Sequence, residues 1–298
     1  MVYLKPLSRS LIDVSLSHDL INSRSSSMLL MKLPKLGCMN NPLNNVLDEI
    51  REALRTGFQY IELTLEWPLS TVEILEGAKA ELSDLLASFE IPPLIHAPWY
   101  LEIASPYEMV RRGALKEAEK IMNFARKIDA KIVTFHPFSP KWLSILKEKA
   151  RELNLHAFTE LTELGEEHSL TICLENTDAG AFTSISAMNF IFSNVPELRL
   201  TLDLGHAWLG GAEKLKAYVR HLGYKITHVH AHDNNGQQDM HLPIGAGKLD
   251  WSLALGLLKF LDFDKTITLE PHVEDPAYLS YSKERILEYW NKAKELEP

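Results

Sequence analysis

Arg199-Leu200-Thr201-Leu202-Asp203-Leu204-Gly205-His206 opens as a short apolar run, stops on an acid and passes through a glycine to a histidine. The run is too short for a helix and suits a buried strand. The same figure recurs along the chain. Ile95-His96-Ala97-Pro98, Phe135-His136-Pro137, Leu174-Glu175-Asn176 and Leu269-Glu270 each end an apolar run on a His or Glu. Ile226 to His232 carries His228, His230 and His232 at period two.

Eight such runs are legible: Lys35 to Met39, Tyr60 to Leu65, Leu94 to Ala97, Lys131 to Phe135, Thr171 to Leu174, Arg199 to Leu202, Ile226 to His230 and Thr266 to Leu269. Between them, Asn44 to Thr56, Ser70 to Phe89, Tyr107 to Ile128, Trp142 to Glu167 and Glu213 to His221 repeat apolar residues three and four apart, which predicts helices. Strands alternating with helices predict a parallel sheet, and eight of them fit a single closed (β/α)8 TIM barrel better than an open sheet. An open doubly wound sheet would often carry a glycine-rich phosphate turn after its first strand, and Gly37-Cys38-Met39-Asn40-Asn41 is not one. No Pro, Gly or Ser-rich linker divides residues 28–298, which are assigned to the barrel. Residues 1–27, ending in Asn22-Ser23-Arg24-Ser25-Ser26-Ser27, are assigned to an N-terminal extension, either flexible or the product of a start placed too far upstream.

Of the 298 residues, 46% are hydrophobic and 24% charged, a composition that excludes gross disorder. No run approaches the roughly 18 apolar residues of a membrane helix, and the N-terminus lacks a signal-peptide pattern, so a cytoplasmic protein with no membrane partner is expected. A net charge of -9 supplies no broad cationic field and disfavours nucleic acid as a partner. Cys38 and Cys173 sit in apolar strand runs and are expected to be core thiols.

In a TIM barrel the C-terminal strand ends share one face, where the chemistry of such enzymes is carried out. The loop after the seventh strand adds Asp239 and His241 to that face, and its glycines allow a tight return path. Crowded carboxylates repel one another unless a cation or proton intervenes, and imidazole with carboxylate suits Zn2+, Mn2+, Co2+ or a similar ion. A lone strand-end His is usually a hydrogen-bonded structural residue. Its recurrence at so many equivalent positions predicts a metal site.

With those residues in view, the chain resembles the xylose-isomerase-like barrel superfamily, which holds sugar isomerases and epimerases together with the endonuclease IV group of DNA-repair enzymes. The resemblance runs from about Lys35 to Glu270 and is most specific at Leu202-Asp203-Leu204-Gly205-His206-Ala207 and from His230 to Gly247. It implies a central metal site of Glu175, Asp203, His230 and Glu270. It implies further that His96 and His136 lie beside Glu175, and that His206, Asp239 and His241 hold another ion, for one to three divalent ions (Zn, Mn, Co or Mg) in all.

Departures from the repair enzymes are local. Glu66-Trp67-Pro68-Leu69-Ser70 has no Arg or Lys where those enzymes carry a basic, aromatic DNA-penetrating loop, and Pro137-Phe138-Ser139-Pro140 replaces a Gly-Ser-His continuation. Asp233, Asn234 and Asn235 stand where many sugar epimerases have an Arg.

The resemblance therefore favours a metal-dependent sugar isomerase or epimerase working through a metal-stabilised enediolate, with Glu175 and Glu270 as catalytic proton carriers. Trp99, His206 and His136 are the candidate substrate contacts, and Glu62 is placed behind the metal ligands. The alternative is a zinc-dependent phosphodiesterase of the endonuclease IV type acting on damaged DNA. A non-catalytic binding barrel is the third class.

Overall fold

The computed structural model describes residues 33–298 apart from 141 and 179. The extension assigned to residues 1–27 lies outside the described residues. Eight parallel strands close into one barrel in chain order: β1 (Lys35–Met39), β2 (Tyr60–Thr64), β3 (Leu94–His96), β4 (Ile132–Phe135), β5 (Thr171–Glu175), β6 (Arg199–Asp203), β7 (Ile226–Ala231) and β8 (Thr266–Leu269). This is the (β/α)8 barrel that the alternating pattern predicts. Strand limits differ from the predicted ones by at most one residue. β5 and β6 run one residue further and take in Glu175 and Asp203 themselves.

Ten α-helices lie among the described residues, and the first shows how locally they are specified. α1 (Val46–Arg55) is capped by Asn45, whose side chain accepts from the backbone N–H groups of Leu47 and Asp48, and Asp48 and Glu49 lie in its first turn. The stretch predicted from Ser70 to Phe89 is two helices, α2 (Val72–Gly77) and α3 (Lys79–Leu86), broken at Ala78. Gly77 is the weak point there, since glycine costs about 1 kcal/mol in a helix interior. α4 (Glu108–Lys127) matches its prediction within a residue at each end. The stretch from Trp142 starts instead with a 3-10 turn, Leu143–Ile145, before α5 (Lys147–Glu167). The remaining helices are α6 (Ile185–Asn194), α7 (Leu204–Trp208), α8 (Gly211–Leu222), α9 (Trp251–Phe260) and α10 (Ala277–Lys292). Among the described residues no helix is long and apolar enough to cross a membrane.

The apolar core fills the space between strands and helices, with Ile50, Leu63, Ile95, Val133, Phe158 and Leu255 fully buried. Cys38 and Cys173 are free and buried, and burial pushes the Cys173 thiol up to about 12. The inside of the barrel is more polar than the branched aliphatic packing usual for this architecture. There the Tyr60 hydroxyl bonds Thr268 Oγ1 at 2.9 Å and Thr134 Oγ1 bonds Thr201 Oγ1 at 2.8 Å. Gly37 makes room for this: a Cβ at that position would lie 2.4 Å from the Tyr60 ring. Between Leu200 and Thr201 the β6–β7 register shifts by one residue, which sets His228 beside Thr201 and His230 beside Asp203. A regular register would put Val229 beside Asp203.

Candidate metal centre

His96 ends β3, Glu175 ends β5 and Asp203 ends β6, while His136 and Glu270 follow β4 and β8 by one residue. Glu175, Asp203, His230 and Glu270 each offer one ligand atom within 4.8 Å of all the others. His230 Nδ1 lies 3.3 Å from both Glu175 Oε2 and Glu270 Oε2. On the other side of the ring, His230 Nε2 stands 3.2 Å from each oxygen of Glu62, which also takes His228 Nε2 at 2.8 Å. An ionised carboxylate only accepts, so both imidazoles donate their Nε2–H to Glu62, and in neutral His230 the lone pair is then on Nδ1. That carboxylate–histidine order is the one that holds a metal-binding imidazole in its working tautomer.

His96 Nε2 and His136 Nε2 each approach Glu175 Oε2 at 3.1 Å, so the predicted neighbourhood of these three residues is present. A further cluster joins His206, Asp239 and His241 and recruits His232. His206 Nδ1–H donates to the Asn176 carbonyl at 2.9 Å and His241 Nδ1–H to the Glu270 carbonyl at 2.9 Å. Both Nε2 atoms are thereby turned to Asp239 Oδ2, at 3.3 and 3.0 Å. His241 holds a left-handed backbone with φ 44, uncommon outside glycine and typical of a constrained functional position.

Local sequence explains why these groups meet. Asp203 Oδ1 caps α7 by accepting from the His206 N–H at 2.7 Å, and Asp203 Oδ2 faces His232 Nε2 at 3.1 Å. Gly205 lets His232 in, because a Cβ there would sit 2.1 Å from its ring. The loop bearing Asp239 and His241 is gathered by Asp233, fully buried, which accepts from Gly245 N, Leu249 N and Trp251 Nε1 at 2.9, 3.0 and 2.9 Å. Gly247 admits this carboxylate, since a Cβ would lie 2.3 Å from Asp233 Oδ1.

Electrostatically the site calls for positive charge. Burial would raise Glu175, but the charges of His136 and His230 and hydrogen bonds from His136 and His206 hold it well below the usual carboxylate range. Burial likewise opposes ionisation of Asp203, yet His206 and His232 bring it down to about 2. Conversely, burial lowers His230 and His241, and the surrounding carboxylates outweigh it, raising His230 well above its ordinary value and His241 to about 9. His230 Nδ1, Glu270 Oε2, His232 Nδ1 and Asp239 Oδ1 are buried without a hydrogen-bond partner. Buried polar atoms left unmatched are costly, and a divalent cation among them would satisfy both them and the carboxylates. The residues present fit a metal ion.

Trp99 stands at the mouth, and Trp251 anchors the Asp233 loop while half-buried Trp208 packs against the core. Sequence reasoning passed over three participants. His232 belongs to the period-two series, which by itself does not mark it as a ligand. Asp233 stands out in the sequence only as the replacement of an Arg. His272, two residues beyond Glu270, stacks on His241 with ring centroids 3.9 Å apart, and no pattern marked it.

Residues 50–290 match the family described as xylose isomerase-like TIM barrel. An uncharacterized protein of Methanocaldococcus jannaschii is 30% identical over 217 residues, 70% of this chain and 73% of its own. A probable endonuclease 4 of Aquifex aeolicus is 28% identical over 221 residues, 66% of this chain and 75% of its own. Among solved structures, a D-tagatose 3-epimerase-like protein superposes with a TM-score of 0.75 at 26% identity, covering 87% of this chain and 98% of that one. With its eight-stranded parallel barrel and a match across most of its length, the chain belongs to the xylose isomerase-like TIM barrel family.

Proposed function

We propose that this protein is a divalent-metal-dependent isomerase or epimerase of a small sugar or sugar derivative. The observation that carries the reading is the gathering of Glu175, Asp203, His230 and Glu270 at the barrel mouth, with their ligand atoms within 4.8 Å of one another. These four would hold the ion, and Zn2+, Mn2+, Co2+ and Mg2+ all suit such carboxylate and imidazole donors to different degrees. When bound, the ion supplies Lewis-acid stabilisation of the negative charge that develops as a proton leaves the carbon beside a carbonyl.

The chain's own residues would do the rest. Glu270, with one carboxylate oxygen turned to the other three ligands, takes the proton from the substrate carbon on its second oxygen. Glu175, kept ionised by its imidazole neighbours, is the second proton carrier. His136 and His206 lie within reach of substrate hydroxyls around the same opening. The likeness to a D-tagatose 3-epimerase-like protein supports this assignment.

A second reading, a zinc-dependent phosphodiesterase, draws on the His206, His232, Asp239 and His241 cluster and on the endonuclease 4 relative. Against it stands the acidic mouth, where Asp48, Glu66, Asp178 and Glu274 would repel a phosphate backbone. The test is solvent tritium exchange into a panel of ketoses and aldoses with Mn2+, Co2+, Zn2+ or Mg2+ present. Exchange that depends on metal and is lost in Glu270→Gln supports the isomerase. Cleavage of an abasic-site duplex without any exchange would favour the phosphodiesterase.

A further inference from the structure

Trp67 and Trp99 are 75% and 62% exposed, so neither indole serves the core. Both line the cavity that contains His96, Glu175 and Glu270. Their loops are tied together and to the barrel. Glu66 Oε1 accepts from Thr64 Oγ1 at 3.2 Å and from the Trp99 N–H at 3.4 Å, joining the loop after β2 to the loop after β3. Beneath them, Ser70 Oγ donates to the Thr64 carbonyl at 2.6 Å, and Asn40 bridges both residues, donating from Nδ2 to Ser70 Oγ at 3.1 Å and accepting the Thr64 N–H at 2.9 Å. Asn40, Thr64 and Ser70 are buried. Two exposed tryptophans are thus presented on a buried polar strap, an arrangement suited to a ligand with an apolar face and hydroxyl edges.

Size and charge narrow that ligand. The cavity holds about 1070 Å3, at the upper end of pockets that bury drug-sized molecules and well beyond one sugar ring. Outside the metal clusters its wall carries Asp48, Glu49, Glu52, Glu66, Asp178 and Glu274. Arg55 is the one Lys or Arg among the described lining residues, and it pairs with Glu52 at 2.6 Å. Lys214 turns its ammonium to the His206 carbonyl at 3.2 Å. Among the described lining residues, a phosphate or carboxylate on the substrate would meet like charge with no unpaired Lys or Arg to receive it.

We propose that Trp67 and Trp99 form a second subsite beside the metal centre, which holds an uncharged sugar ring attached to the ring that reacts. The inference rests on the isomerase or epimerase reading and narrows its substrate to an unphosphorylated sugar of more than one ring. Glu66, with Oε1 engaged by the strap, keeps Oε2 for a hydroxyl of that second ring.

The test is calorimetric titration of the metal-loaded full chain with three sets of sugars: neutral ketohexoses, disaccharides ending in the same ketoses, and ketohexose phosphates. Disaccharides are expected to bind about tenfold tighter than the single rings, with the phosphates weakest. Trp67→Ala should remove that tenfold gain and leave single-ring binding within about twofold, and Trp99→Ala should remove the gain as well. Equal affinity for one and two rings, tighter binding of phosphates, or disaccharide binding unchanged in both variants overturns the subsite. If single ketoses still exchange tritium in those cases, the isomerase reading survives without it. Should nothing in the panel bind or exchange, the isomerase reading falls and the subsite with it.

Discussion

Glu62 has no exposure to solvent and accepts from two imidazoles inside the barrel. Its burial is opposed by the His230 and His228 charges and hydrogen bonds, which hold it well below the usual carboxylate range. Because His230 turns Nε2 to Glu62 and Nδ1 to Glu175 and Glu270, Glu62 would orient a ligand of the proposed metal site without being one of the central four. Glu62→Gln keeps the shape but offers an amide N–H to one of the two rings. Zn2+ or Mn2+ affinity should fall by about 10- to 100-fold in a titration, with the circular dichroism of the barrel unchanged. An unaltered affinity would mean that His230 is held by its packing alone. The strand-end acids and imidazoles were legible in the sequence because each terminates an apolar run. Glu62 was legible only as a polar break within a strand, and only the contact across the barrel interior identifies His228 as its partner.

At the scale of elements, the loop from Asp233 to Asp250 decides whether Asp239 and His241 reach the mouth. It is short of regular structure, apart from the Asp233–Leu242 bridge, and depends on a single buried carboxylate that gathers three donors from its far end. Asp233→Ala leaves those donors without their acceptor, at about 1–3 kcal/mol for each that water cannot reach. A loss of roughly 3–5 kcal/mol is expected in urea denaturation, the range for breaking a buried charged contact. The variant should also bind fewer ions than the parent but keep the central one, since the loop carries Asp239 and His241 while the central four stand on strands or one residue past a strand end. A loss below about 1 kcal/mol would show that the loop is held by other contacts. Turn chemistry was readable here, as the glycines mark a return path. The reason for Gly205 and Gly247 was not, because each makes room for a side chain distant in sequence or across the loop: His232 and Asp233.

For the whole molecule, the pattern sufficed to predict the barrel, since eight short apolar runs are mostly separated by segments whose apolar residues recur three and four apart. The residue that carries each function lies where barrel closure puts it, and a parallel register can bring only strand ends to one face. Less legible was the division of labour among clusters. His230 lies on β7 and His232 one residue past its end, yet His232 faces Asp203 and Asp239 while His230 faces Glu175 and Glu270. That split follows from the depth at which each side chain enters the mouth, which the period alone does not encode.

The account depends on a cation at the centre of these groups. Anomalous diffraction from crystals of the protein purified with Mn2+ or Zn2+, paired with elemental analysis of the same sample, tests this directly. At least one ion per chain is predicted, with a peak enclosed by Glu175, Asp203, His230 and Glu270. A protein that stays metal-free under those conditions, or binds ions only elsewhere, would contradict it.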